Sequence, residues 1–128
     1  MLIFKTIVAI CVGASSGSIL RFTFEKYLNP VATNINLGTL TANLLGGFLI
    51  GFAFSLFNKY PDLAPHWRIL IITGFLGGLT TFSSFSAETI HLMQQGHYSS
   101  AIAVVGLHVV GSLILTAIGF GLFSLINT

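Results

Sequence analysis

GFLGGLTTFSSFS, Gly74 to Ser86, lies inside an apolar stretch long enough to cross a bilayer, yet holds three glycines and five Ser/Thr in thirteen residues. Gly77 and Gly78 and the β-branched pair Thr80 and Thr81 disfavour continuous helix. Backbone groups freed by a break there find no water in hydrocarbon, so irregular chain at that depth survives only where it is buried in protein or lines a cavity. A broken helix leaves carbonyls free on its first half, which attract cations, and amides free on its second half, which attract anions. The segment is therefore the first candidate site.

The surrounding chain is built for lipid. Its 128 residues are 54% hydrophobic and 6% charged, with a mean hydropathy of +0.93, where soluble domains carry about 25% charged residues. Four segments, at 2–20, 37–57, 69–93 and 100–126, reach the roughly 20 residues that a hydrocarbon core requires. Pro30 and the Asn/Thr-rich run to Asn36 mark the first connection, Pro61 and Pro65 the second, and Gln94 to Ser100 the third. None is long enough to fold independently. The expected fold is an all-α membrane protein of four transmembrane helices, the third broken mid-membrane, with residues 1–128 forming a single transmembrane domain. The first eighteen residues mimic a signal peptide, with Lys5 ahead of an apolar run and small residues from Gly13 to Ser18. Three further apolar segments follow, so they are read as the first membrane helix.

Several function classes drop out. Three acids against five Lys/Arg are scattered along the chain and leave no basic patch, so nucleic acid is not an expected partner. The single cysteine, Cys11, can form no intrachain disulfide, and the four His lack metal-ligand spacing. There is no nucleophile with a base at useful spacing and no phosphate-cradling glycine loop, so an enzyme is not expected.

Small residues recur four apart: Gly13 and Gly17, then Gly38, Ala42 and Gly46, with Gly47 and Gly51 offset by one. Such rows let helix backbones approach closely, which matters in lipid because packing must supply the attraction between helices. Four short helices still make a thin bundle, so a path through the protein calls for a second copy, and a homodimer is expected. With four crossings, Lys5, Lys59 and Arg68 fall on one side and Arg21 and Lys26 on the other. Three against two is almost no orienting bias, which leaves a single orientation and insertion both ways open. Insertion both ways would make the dimer antiparallel.

Polar residues at membrane depth are candidates for function. Arg21 continues the spacing of Gly13 and Gly17, and either snorkels to the interface or draws anions to a pore mouth. Glu88, three residues after Phe85, suits a structural hydrogen-bond acceptor better than proton transfer. Asn43 lies mid-segment, where its amide either bonds a neighbouring helix or donates to an ion. His108, Ser112 and Thr116 are spaced four apart and form one polar stripe, for interhelix bonding or for a path. Phe82 and Phe85 share a face beside the break; ordinary packing explains such a pair, but a positive ring edge also suits an anion.

The stretches GASSGSILR (Gly13 to Arg21), GTLTANLLGGFLIG (Gly38 to Gly51) and above all GFLGGLTTFSSFSAE (Gly74 to Glu88) resemble the Fluc (CrcB) fluoride channel family. The resemblance runs the length of the chain and implies a fluoride-selective channel that passively exports cytoplasmic fluoride. It implies a dual-topology antiparallel homodimer in the bacterial plasma or inner membrane, surrounded by lipid, with two pores and a broken third helix. A structural sodium ion at the dimer centre is implied, held by main-chain carbonyls that map here to Gly77 and Thr80. Fluoride-pore residues carried over by the resemblance are Asn43, Phe82 and Phe85, with Arg21 near the vestibule and Ser112 and Thr116 as pore-lining hydroxyls. One departure is that several members place a tyrosine early in the fourth helix, whereas Ala101 to His108 has none. Two rival readings are a small dual-topology exporter of organic cations and a noncatalytic subunit of a membrane complex. The exporter calls for a carboxylate in the first helix, which residues 2–20 lack.

Overall fold

A computed structural model describes residues 2–127. The chain is helical, and four of its helical stretches are long and apolar enough to cross a membrane: Leu2–Val31, Leu37–Lys59, Pro65–Gln94 and Tyr98–Ile126. Helix α1 spans Leu2–Leu28, and a 3₁₀ turn at Asn29–Val31 ends it. Helix α2 spans Leu37–Lys59. The third span comprises α3 (Pro65–Arg68), a π-helical segment (Ile69–Leu76), α4 (Gly77–Leu79) and α5 (Phe82–Gln94). Helix α6 covers Tyr98–Ile126. The large apolar side chains Ile102 and Leu113 are exposed on α6, as expected of surface facing acyl chains rather than water.

The first helix runs eight residues past the expected end at Leu20. Residues 21–28 are polar enough to read as a connection, but contain no helix breaker; the chain turns only where Asn29 and Pro30 arrive. Arg21 therefore lies two turns inside a helix. The start of α2 is capped from a distance: the Asn29 Oδ1 accepts from the Gly38 and Thr39 N–H groups at 2.7 and 3.2 Å, and a Glu88 carboxylate oxygen accepts from the Asn36 N–H at 2.8 Å. Three amides at a helix start are thus bonded where the Asn36 side chain makes no cap of its own.

Small residues set the packing. Gly13 and Gly17 press α1 against the third-span backbone, where a Cβ on Gly17 would stand 2.7 Å from the Leu79 nitrogen. Gly47 and Gly51 of α2 and Gly119 of α6 do the same between those two helices, the most extensive pairing in the fold. Within the third span, the first half packs on α1 and α5 packs on α6. The chain changes partners at Thr80 and Thr81, and one core, around Ala42, Leu76 and Leu79, lies just before that crossover while another, around Phe85, Leu92, Ala101 and Val104, lies just after it.

Candidate functional site

The π-helical segment leads into a single short turn, Gly77–Leu79, after which the backbone is extended at Thr80 (φ −87°, ψ 154°) and Thr81 (φ −149°, ψ 119°). Local chemistry completes both ends. The Leu76 carbonyl accepts from the Thr80 N–H at 3.0 Å and from the Thr80 hydroxyl at 2.9 Å. The Thr81 Oγ1 accepts from the Ser84 N–H at 3.2 Å, the N-cap bond that starts α5.

The remaining groups of Thr81 are taken by one side chain. Asn43 Oδ1 accepts from the Thr81 N–H at 2.7 Å, and Asn43 Nδ2 donates to the Thr81 carbonyl at 2.9 Å. Its second Nδ2 proton points to His108 Nδ1, also at 2.9 Å. An asparagine in mid-helix thus bonds both backbone groups of the extended Thr81. Asn43 makes the bond to neighbouring elements, and that bonding occupies both amide protons.

Around this bracket opens a cavity of about 510 Å³, lined among others by Asn43, Gly77, Thr80, Phe82, Phe85, His108 and Ser112. Phe85 is buried, whereas Phe82 is 77% exposed in the single chain, and the rings meet edge to face at 5.3 Å and 71°. Phe85 also leans on the His108 imidazole, with centroids 4.8 Å apart and planes at 31°. Six of the eight sequence-derived site residues, Asn43, Gly77, Thr80, Phe82, Phe85 and Ser112, share this cavity.

Arg21 and Thr116 are not part of its lining. The Thr116 hydroxyl donates to the Gly47 carbonyl at 2.8 Å and so ties α6 to α2. Arg21 Nε donates to the Gly78 carbonyl at 3.2 Å, while its Nη1 lies 3.5 Å from a Glu25 carboxylate oxygen. The other Glu25 oxygen accepts from the buried Thr39 hydroxyl at 2.9 Å. Arg21 thus links α4 to the start of α2. Sequence reasoning missed the backbone role of Thr81 and the partnership of His108 with Asn43. Their separations of 38 and 65 residues leave no local periodicity to find.

Residues 8–120 match the family described as CrcB-like protein, Camphor Resistance (CrcB). A protein of Desulfovibrio desulfuricans named fluoride-specific ion channel FluC is 52% identical over 124 residues, covering 97% of this chain and 96% of the relative. Proteins of the same name from Klebsiella pneumoniae and Chromobacterium violaceum are 49% and 50% identical, the first covering 94% of this chain and 95% of its own, the second 90% and 91%. With four membrane-length helices, a match across residues 8–120 and relatives at about half identity over nearly their whole length, this chain belongs to the CrcB family of multi-pass bacterial membrane proteins.

Proposed function

We propose that the protein is a fluoride-selective channel that lets fluoride leave the cytoplasm passively. The observation that carries this reading is the extent of the identity with relatives named fluoride-specific ion channels, about half of all positions over 97% of the chain. The cavity chemistry supports it: Phe82 and Phe85 offer ring edges beside a break whose following helix begins at Phe82, so positive ring edges and a positive helix end meet in one place. Asn43 lines the same cavity while holding Thr81 in place, which supports its place along the fluoride path. Hydrogen fluoride crosses membranes as a neutral molecule and ionises in a less acidic cytoplasm, and an inside-negative potential then drives the anion out with about 2.3 kcal/mol per 100 mV. No fuel is needed.

The working unit in this reading is an antiparallel homodimer of single-domain chains, with the extended Thr80 and Thr81 forming a mid-membrane break in each. The near-balanced charges at the two ends support insertion both ways, and exposure of Phe82 in the single chain supports a second copy beside it. A structural sodium ion held by the Gly77 and Thr80 carbonyls fits the donor set. The neighbouring Gly78 and Thr81 carbonyls are engaged by Arg21 and Asn43, whereas no side chain among the described residues bonds those of Gly77 and Thr80. Carbonyl oxygens suit a hard cation.

Efflux from liposomes tests the reading. Purified protein is expected to release fluoride rapidly and chloride negligibly, and Phe82→Ile to lose the fluoride flux. Equal fluxes of the two anions would sink the selectivity, and no anion flux from folded protein would return the exporter and subunit readings to the front.

A further inference from the structure

A second hollow, of about 420 Å³, lies between the start of α1 and the start of the third span and shares no residue with the first. Packing explains its position. The two segments run in the same direction and close on each other where Gly13 meets Gly74: a Cβ on Gly74 would stand 3.0 Å from the Gly13 Cα. No glycine continues that seam toward the beginning of either span. A groove opens there instead, with Val8, Ala9 and Val12 on one side and Trp67 and Leu70 on the other.

The groove is polar at one end only. Lys5 and His66 each stand eight residues before the paired glycines, so the register brings them to nearly the same height, with Trp67 beside them. The Lys5 ammonium, the His66 ring and the Trp67 indole N–H are donors, and none of these side chains is bonded within the described residues. The other two cations expected on this side are occupied: Lys59 bonds the Asn127 carbonyl, and Arg68 lies over the Phe57 ring. Lys and Trp at the beginning of membrane spans belong at headgroup depth. From Lys5 to Val12 the groove follows α1 for about 10 Å, most of the roughly 15 Å that one leaflet contributes to a hydrocarbon core.

We propose that this groove is a binding site for one anionic phospholipid, its phosphodiester on Lys5, His66 and Trp67 and one acyl chain lying between α1 and the third span. A lipid carries an anion and an apolar chain on one molecule, in the order in which the groove presents their counterparts. A zwitterionic lipid brings a second cation to Lys5 and is disfavoured. A second copy of this chain is poorly matched to the same place, because it would have to bring an anion. Of its three acids, Glu25 is held by Arg21 and Thr39 and Glu88 by Asn36, which leaves Asp62 in a connection outside the spans. The site is separate from the cavity and does not depend on what the cavity conducts.

Trp67 is the chain's one tryptophan and is 55% exposed, so its fluorescence reports on this groove alone. The full-length protein is reconstituted in vesicles of phosphatidylcholine and phosphatidylglycerol, with bromine on the acyl chains of one lipid or the other. Bromine quenches indole on contact. Both leaflets have the same composition, so either orientation reads alike. Quenching is expected to give a roughly fivefold preference for phosphatidylglycerol, as for one lysine near an anionic headgroup. Lys5→Gln, at an exposed position, should abolish the preference while both lipids still quench. Ala9→Phe, which fills the groove, should lower quenching by both.

The wild-type comparison decides the matter even if neither variant folds. Equal quenching by the two lipids would overturn the proposal and leave ordinary surrounding lipid. No quenching by either would overturn it in favour of a second copy or another helix covering the groove. A preference that survives Lys5→Gln would remove the headgroup from this site. Loss of the preference on adding inorganic phosphate would make the polar end a site for a free anion, with no lipid held there.

Discussion

Asn43 and Thr81 exchange two hydrogen bonds, 2.7 and 2.9 Å long, so that one side chain on α2 closes both backbone groups of an extended residue in the third span. The pairing resembles one rung of a β-ladder, supplied by an amide in place of a strand. It lets the chain leave helical geometry in apolar surroundings, where each unbonded backbone group would otherwise be a penalty. The same amide bonds His108, so Thr81, α2 and α6 are joined in one polar knot within a bundle that also packs through close contact of small residues.

Asn43→Ala removes that knot. It leaves the Thr81 N–H and carbonyl unbonded, at a cost of about 1–3 kcal/mol for each buried group, and frees the His108 Nδ1. A lower thermal midpoint in detergent and a fluoride flux reduced at least about tenfold are expected. Unchanged stability with lost flux would show instead that the amide serves the ion directly.

Glycine substitutions should divide by what lies over each Cα. In Gly51→Ala the new methyl would stand 3.0 Å from the Phe120 nitrogen and closer still to the Thr116 carbonyl, forcing α2 and α6 apart; overpacking of this kind costs about 1–3 kcal/mol. Gly106 and Gly121 have nothing within 4 Å of the added carbon, and alanine there improves helix propensity by about 0.5–1 kcal/mol. Thermal unfolding should therefore fall for Gly51→Ala and hold or rise for Gly106→Ala and Gly121→Ala. A fall at either of the last two would identify it as a contact with a second copy of the chain.

Ser112 and Thr116 stand one turn apart on α6 and invite the same role, yet their surroundings differ. Ser112 lines the cavity, whereas Thr116 spends its proton on the Gly47 carbonyl. Thr116→Val should cost roughly 0.6 kcal/mol, the average for a hydrogen bond between membrane helices, with fluoride flux within about twofold of wild type. Ser112→Ala should reduce flux more while leaving stability alone. Liposome efflux beside thermal unfolding checks both, and a larger flux loss at Thr116 would move the ion path toward that turn.

The four spans were legible in the sequence because hydrocarbon thickness imposes a length and a composition that few other contexts demand. Where α1 stops was not, because Phe22 to Leu28 look polar but nothing among them prevents helix, and only Asn29 and Pro30 do. The glycines and β-branched threonines of residues 77–81 advertise weak helix in local terms, and the backbone is extended at Thr80 and Thr81. What satisfies that backbone lies 38 residues away on α2, and a spacing rule cannot reach it. Arg21 illustrates the same limit: its position suggested snorkelling or a place near a pore mouth, and its bonds to Gly78 and Glu25, which depend on how α1 packs beside the third span, have no signal in its spacing.

A cation held by main-chain carbonyls behaves unlike one held by side chains, and this gives the sodium proposal its test. Thr80→Val deletes the hydroxyl that bonds Leu76 but leaves the Thr80 carbonyl in place. If Gly77 and Thr80 bind sodium through their carbonyls, replacing sodium on both sides of the membrane with N-methylglucamine should reduce fluoride flux in wild type and Thr80→Val alike, and restoring sodium should rescue both. The dependence should saturate and follow ion size, because carbonyls fixed beside the Asn43 bracket cannot adjust freely to a larger ion. Potassium should substitute poorly for the same reason. Flux indifferent to sodium in the wild type would remove the ion from the structure, and a sodium response abolished by Thr80→Val alone would shift the ligand from the carbonyl to the hydroxyl.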